Sequence, residues 1–140
     1  MPLDFSQFKL AIQNLQKQYA NFCSLEPGLP EIMQEAVKES IVQRFEVCYD
    51  ILWKILRKYL IKNLKLAEVP SSPSPVFRIA GENKLLPSKV EKWLVYAELR
   101  TETTHEYGAE ILQKAINEVG SFIEDAIKLY ENISEEKWQK

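Results

Sequence analysis

The sequence predicts an all-α protein, an antiparallel four-helix up-and-down bundle with one extra short helix. Three observations favour this fold class. Apolar residues recur every three or four positions over long stretches, the four glycines and seven prolines fall mostly in two short segments, and no period-two alternation or Asn-Gly or Asp-Gly hairpin turn occurs. The length of 140 residues fits a single domain spanning residues 1–140.

The first helix is marked by one apolar stripe near the start of the chain. Asp4 or Ser6 is of the type that caps a helix N-terminus. The members of the stripe, which step by three and four positions, are Phe5, Phe8, Ile12, Leu15, Tyr19 and Phe22.

The second helix is predicted to be the longest, because residues 31–69 contain neither glycine nor proline. It carries two neighbouring apolar stripes, so it should contact other helices on two sides and lie at the centre of the bundle. One stripe is Ile41, Phe45, Cys48, Leu52, Ile55 and Tyr59, and the other is Val42, Tyr49, Trp53, Leu56 and Leu60. Both Trp53 and Trp93 are expected in the core.

Three further helices are predicted after the proline-rich segment 69–75. Residues 74–83 form the short helix, with Pro75 in its first turn, and residues 89–103 form the next, with Ser88 as its cap. The inward positions of that helix are Val90, Trp93, Leu94 and Ala97. The stripe of the last helix is Leu112, Ala115, Val119, Phe122, Ala126, Tyr130 and Ile133.

The charge balance excludes a global field that would attract nucleic acid. Eighteen Lys and Arg residues face twenty Asp and Glu residues, for a net charge of −2. The charge is nevertheless uneven, since residues 38–65 sum to +4 and residues 98–140 sum to −5. The basic stretch is either a solvated helix face or a surface that faces RNA or a nucleotide.

Cysteine and histidine content bounds the metal and redox chemistry. Cys23, Cys48 and His105 are too few for a structural zinc site, and no motif for a metal or a cofactor is present. We expect the two cysteines to be buried thiols, with a Cys23–Cys48 disulfide as the alternative. The longest apolar runs fall far short of the ~20 residues that span a bilayer, and no secretory signal is seen, so we expect a cytoplasmic protein without membrane contact.

Residues 100–107 concentrate the chemistry that the sequence offers. The stretch reads Arg-Thr-Glu-Thr-Thr-His-Glu-Tyr and contains the only histidine. An imidazole can take and give a proton near neutral pH, and a guanidinium stabilises charge that develops on a phosphate. Arg100 and His105 are therefore a candidate catalytic pair for metal-free RNA cleavage. In the alternative interpretation, His105 caps a helix and Arg100 bridges Glu102 or Glu106.

Helix geometry restricts how this pair can meet. Five residues of continuous helix rotate the chain by about 500°, so the two side chains would point about 140° apart. They would converge only if the helix breaks between them or if a second copy supplies one partner, as in a homodimer. Thr101, Thr103 and Thr104 favour a helix end at this point, with Thr104 as a supporting residue of the site.

Glu46 is a second supporting candidate, since it interrupts an apolar stripe of the long helix. A carboxylate buried there needs a cationic partner, for which Arg100 is available. The alternative is a surface pair between Glu46 and a neighbouring Lys or Arg.

Three segments resemble a known family. Residues 100–107 resemble the R-x4-H-x-Y signature of the prokaryotic HEPN domains called HepT, which are also known as nucleotidyltransferase substrate-binding proteins. Residues 41–54 are similar to the long second helix of that family, and residues 74–80 to its short third helix. Together, in this order, the three segments make a specific pattern that spans nearly the whole chain.

The resemblance implies a dimerising bundle whose partner is a separate minimal nucleotidyltransferase. It further implies a metal-independent ribonuclease toxin with Arg100 and His105 as catalytic residues, silenced when the partner adenylylates Tyr107. Many relatives carry Asn or Asp directly after the arginine, where this chain has Thr101. The alternative function is a non-catalytic subunit that binds a nucleotide or other substrate for the transferase, and a weaker one is a purely structural bundle.

Overall fold

The computed structural model describes residues 2–105 and 108–139. These residues form five α-helices and no strand, which confirms the predicted class of a helical bundle with one short extra helix. The helices are α1 (Ser6–Cys23), α2 (Glu31–Lys62), α3 (Pro73–Glu82), α4 (Val90–His105) and α5 (Ala109–Ser134).

The long helix α2 is the centre of the bundle, as its two apolar stripes predict. It contacts each of the other four helices, while α1 and α4 also pack on α5. Phe122 of α5 links the two halves of the core, with its ring centroid 4.9 Å from Phe45 of α2 and 5.1 Å from Tyr96 of α4. Both pairs are edge-to-face, a favourable geometry for aromatic rings.

The helix starts follow local hydrogen bonding. Before α1, the backbone N–H of Ser6 donates to Asp4 Oδ1 at 2.9 Å. Hydrogen bonding with the Ser6 side chain, and next with this N–H, lowers the pKa of Asp4. At the start of α4, the Ser88 hydroxyl accepts a hydrogen bond from Trp93 Nε1 at 2.9 Å. The short helix α3 begins one residue earlier than predicted, with proline in its first positions.

The connection between α2 and α3 is fastened by a guanidinium. Arg57 donates from Nε to the carbonyl of Pro70 at 3.1 Å and from Nη2 to the carbonyl of Val69 at 3.0 Å. Val69 itself is buried. Because α3 begins only three residues after Pro70, these bonds fix where its first turn lies relative to α2.

The two cysteines have different environments. Both are free thiols, so the alternative of a disulfide is not realised. Cys48 is buried in α2, and burial raises the pKa of its thiol. The expectation of burial is wrong for Cys23, which is exposed because it is the last residue of α1, where the chain leaves the bundle.

Candidate functional site

A cleft of about 520 Å³ lies between α2, the first turn of α3 and the C-terminal half of α4. That volume falls within the range of sites for small molecules. Its lining consists of Tyr49, Asp50 and Trp53 of α2, Pro73 and Ser74 of α3, and Leu94, Ala97, Glu98, Arg100, Thr101, Thr104 and His105 of α4. The cleft therefore includes both residues of the candidate catalytic pair.

Arg100 joins α4 to α2 through two carboxylates. Its Nε and Nη2 donate to the two oxygens of Asp50 at 3.2 and 3.1 Å, and its Nη1 donates to Glu46 Oε2 at 3.0 Å. Glu46 and Asp50 stand four residues apart, so both face α4 from adjacent turns of α2. The predicted pairing of Glu46 with Arg100 is confirmed. Arg100 thus lies in a fork-to-fork pair with one carboxylate and bonds a second.

Asp50 was missed by the sequence reasoning, although a signal was available. It lies four positions after Glu46 on the same helix face. Its side chain is 39% exposed, whereas that of Glu46 is 17% exposed. Asp50 therefore lies at the cleft surface, and Glu46 is the more buried of the two carboxylates.

Two threonines support this arrangement from α4. Thr103 is fully buried, and its Oγ1 lies 2.9 Å from Glu46 Oε2 and 3.0 Å from the carbonyl oxygen of Arg100, so its single proton can donate to either. Thr104 Oγ1 accepts from Arg100 Nη1 and donates to the same carbonyl at 3.0 Å. Thr104 was predicted as a supporting residue, but Thr103 was not. Its signal is the continuation of the inward series Trp93, Tyr96 and Leu99.

His105 is the last residue of α4 and is exposed. α4 therefore ends two residues later than the predicted end near residue 103. Arg100 and His105 nevertheless line one cleft, because the long arginine side chain reaches along the helix surface. His105 also lines a smaller cleft of about 240 Å³ beside Ile111. Its side chain makes no hydrogen bond or ion pair with another residue of 2–105 or 108–139.

The alternative partner that the sequence offered Arg100 on its own helix is engaged elsewhere. Glu102 pairs with Lys114 of α5 at 2.7 Å, and this hydrogen bond raises the pKa of Lys114. The other alternative partner, Glu106, and the candidate modified residue, Tyr107, lie outside the described residues.

The electrostatics of the cleft are set by its carboxylates. Asp50 and Glu98 line the cleft together with Arg100, and the Arg100 guanidinium also bonds Glu46. Burial, with the charge of Asp50 next, raises the pKa of the Tyr49 hydroxyl at the cleft wall. The cluster of Arg100, Glu46 and Asp50 thus carries one more negative than positive charge.

One aromatic ring is open to the cleft. Trp53 is only half-buried, so the expectation that both tryptophans lie in the core is correct for Trp93 alone. The Trp53 ring is only half-buried because the apolar arc of α2 is wider than the surface that the neighbouring helices cover. The Lys54 ammonium lies 5.8 Å from the centroid of the Trp53 ring.

The described residues lack both a group of metal ligands and a membrane-spanning helix. Within residues 2–105 and 108–139, no three His, Cys, Asp or Glu side chains are grouped as a metal site would require. In the same part of the chain, none of the helices has the length and apolar character to cross a bilayer.

Comparisons with known proteins agree with the helical fold. The family model described as "nucleotidyltransferase substrate binding protein like" matches residues 3–135. A protein of Haemophilus influenzae, whose structure is described as revealing the fold of a substrate-binding domain of a nucleotidyltransferase, is 18% identical with a TM-score of 0.82, covering 94% of this chain and 99% of that one. A protein of Thermus thermophilus is 22% identical with a TM-score of 0.75, covering 90% of this chain and 98% of that one. No curated protein matches the chain.

Proposed function

Because the chain belongs to the nucleotidyltransferase substrate-binding protein family, we propose that it is the non-catalytic, substrate-binding partner of a separate small nucleotidyltransferase. In this role, the chain holds an acceptor molecule or a nucleotide, and the transferase supplies the catalytic groups. The cleft between α2, α3 and α4 is the binding site.

The engagement of Arg100 is the observation that carries this proposal. A ribonuclease needs the guanidinium to hold a phosphate, but here its three nitrogens donate to Asp50 and Glu46. A phosphate would have to displace one of these carboxylates and would then lie beside it, with no second cation of the cluster to offset the repulsion. Arg100 therefore serves as a clamp between α4 and α2, and the cleft serves to bind.

Association with the transferase is the direct test. We expect a gene for a small nucleotidyltransferase beside the gene of this chain. Its purified product is mixed with the chain, and the mass of the complex is measured by size-exclusion chromatography with light scattering. We expect a stable complex, and Trp53→Ala should leave it intact while abolishing transfer to any acceptor that the pair modifies. Absence of a complex at micromolar concentrations would contradict the proposal.

The second candidate function is a ribonuclease toxin that acts as a homodimer. It is favoured by the shared cleft of Arg100 and His105 and by the exposure of the imidazole. The exposed lysines 54, 58 and 62 follow one face of α2 at intervals of four and could contact RNA phosphates. The partner would silence the toxin by adenylylating Tyr107, placing negative charge two residues from His105.

Growth of cells that express the chain alone separates the two candidates. The toxin hypothesis expects growth inhibition that both Arg100→Ala and His105→Ala relieve. It also expects an added AMP by mass spectrometry after incubation with the partner and ATP, lost in Tyr107→Phe. The binding-subunit proposal expects normal growth with the wild type as well as with all three variants, and no added AMP on Tyr107.

A further inference from the structure

The charge of the cleft indicates which ligands it can hold. Asp50 and Glu98 line it, and Glu46, one turn before Asp50 on α2, shares Arg100 with Asp50. Arg100 lines it too, but its guanidinium faces Asp50 and Glu46 at 3.0–3.2 Å. The Lys54 ammonium lies 5.8 Å from the Trp53 ring centroid, so three carboxylates face two cations. An approaching ligand therefore meets a net excess of one negative charge, partly screened by solvent because the Asp50 side chain is 39% exposed.

The other residues that line the cleft provide a flat apolar surface and hydroxyl groups for a ligand. The half-buried indole of Trp53 offers a flat aromatic surface beside Leu94 and Ala97. Hydroxyl groups of Ser74 and Thr101 lie at opposite walls of the same cleft. An aromatic face attracts a cation through its quadrupole, and Lys54 already lies 5.8 Å from the ring centroid of Trp53.

We infer that the cleft selects a small organic cation with a flat face, that Asp50 and Glu98 set this charge selectivity, and that Trp53 stacks on the flat part. The inference rests on the proposed function and narrows it, since it names the class of substrate that the subunit presents. Amine- or amidine-bearing molecules fit this description, whereas phosphates and carboxylates do not.

Asp50 is central to the selectivity because it both faces the cleft and occupies the fork of Arg100. When Asp50 becomes Asn, a negative charge is removed and the guanidinium loses its bidentate carboxylate. The same substitution should therefore weaken cation binding and open a place for an anion. Glu98 lies on α4 rather than on α2 and is not one of the two carboxylates that Arg100 bonds at 3.0–3.2 Å, so Glu98→Gln should weaken cation binding only.

Three isosteric probes test the inference on the full chain. Benzamidine, benzamide and benzoate share a flat ring and carry positive, zero and negative charge. Their binding is followed by two-dimensional ¹H–¹⁵N NMR at the Trp53 indole N–H, identified by its loss in Trp53→Phe. Glu124→Gln, on the exposed face of α5, changes the same charge outside the cleft and serves as the control.

The expected order of affinity in the wild type is benzamidine, then benzamide, then benzoate. Glu98→Gln and Asp50→Asn should each weaken benzamidine binding by about twofold to fivefold, and Asp50→Asn should also strengthen benzoate binding. Glu124→Gln should leave all three affinities unchanged, and added salt should weaken benzamidine alone.

Two results would overturn the inference. One is benzoate binding at Trp53 as tightly as benzamidine, and the other is no shift of the Trp53 signal with any probe. If Asp50→Asn does not fold, an unchanged benzamidine affinity in Glu98→Gln contradicts the inference in its place. Because complex formation with the transferase is measured separately, the proposed function can fail while the selectivity stands, or the reverse.

Discussion

Helix α4 carries two polar clusters on different faces, and the contrast between them separates stability from binding. Toward α5, the hydroxyl of Tyr96 donates to Asp125 Oδ2 at 2.6 Å and lies 2.9 Å from Ser121 Oγ. Lys92 Nζ lies 3.3 Å from the Asp125 carboxylate. We call these residues the Tyr96 cluster. Toward α2, Arg100 bonds Glu46, Asp50 and Thr104, and Thr103 bonds Glu46; this is the Arg100 cluster.

The two clusters differ in how far solvent reaches them. Tyr96 and Asp125 are buried, whereas the side chains of Arg100 and Asp50 are 25% and 39% exposed. A buried polar group that loses its partner costs more free energy than an exposed one, which water can solvate. The Tyr96 cluster should therefore matter most for folding, and the Arg100 cluster for what the cleft binds.

The largest effect is expected at Asp125. Asp125→Ala removes the carboxylate that accepts from the buried Tyr96 hydroxyl and pairs with Lys92, and it should lower the free energy of unfolding by about 2–3 kcal/mol. Urea denaturation followed by circular dichroism measures this loss. Asp50→Ala is the matched control and should cost less than about 1 kcal/mol, and equal losses would remove the contrast between the clusters.

Arg100→Ala should have an intermediate effect. The substitution leaves Glu46, only 17% exposed, without its guanidinium partner, while Thr103 still donates to it. We expect a loss of about 1–2 kcal/mol in the same urea assay. A loss below that of Asp50→Ala would show that Arg100 does not clamp α4 to α2.

Alkaline pH should destabilise the Tyr96 cluster. Burial, and then the hydrogen bond to Asp125, raise the pKa of Tyr96 above the ordinary 10.0. Folding therefore favours the protonated phenol, so its contribution is complete below pH 10 and falls as the pH rises above that value. When the pH is raised from about 10 to 11, the free energy of unfolding should fall in both proteins, and by up to about 1 kcal/mol less in Tyr96→Phe than in the wild type. Parallel curves would contradict this.

Thr103→Val should lower the free energy of unfolding by about 1 kcal/mol, less than Asp125→Ala or Arg100→Ala. Valine preserves the shape of the buried side chain but cannot donate to Glu46, so one hydrogen bond to a carboxylate is lost. Thr101→Val is the control, because the Thr101 hydroxyl is exposed and bonds only the carbonyl of Ala97 at 3.1 Å. If both variants lose the same stability, Thr103 does not position Glu46.

Much of the fold follows from periodicity, because helix burial repeats in register with the chain. The two stripes of α2 predict its central position, and the missing glycine and proline predict its length. The end of α4 was misjudged because threonines disfavour helix interiors. In this helix, the hydroxyls of Thr103 and Thr104 each lie 3.0 Å from the carbonyl oxygen of Arg100, so both threonines fit within the helix, which ends at His105.

The site was only partly predictable. The polar interruption at Glu46 within an apolar stripe indicates a charge that needs a cationic partner if it is buried. Arg100 was one candidate and a surface Lys or Arg the alternative, and the structure selects Arg100. Asp50 and Trp53 could not be assigned to a cleft, since that requires the start of α3, which Arg57 fastens through a non-local contact. Sequence spacing places residues on a helix face but does not show which faces leave a gap.

RNA cleavage by the purified, unmodified chain tests most directly whether Arg100 is a clamp or a catalytic group. A labelled RNA is incubated with the chain in the presence of EDTA, and the products are separated on a denaturing gel, with Arg100→Ala and His105→Ala in parallel. Engagement of Arg100 by Asp50 and Glu46 predicts that all three proteins leave the RNA intact. Cleavage by the wild type that both substitutions abolish would contradict it.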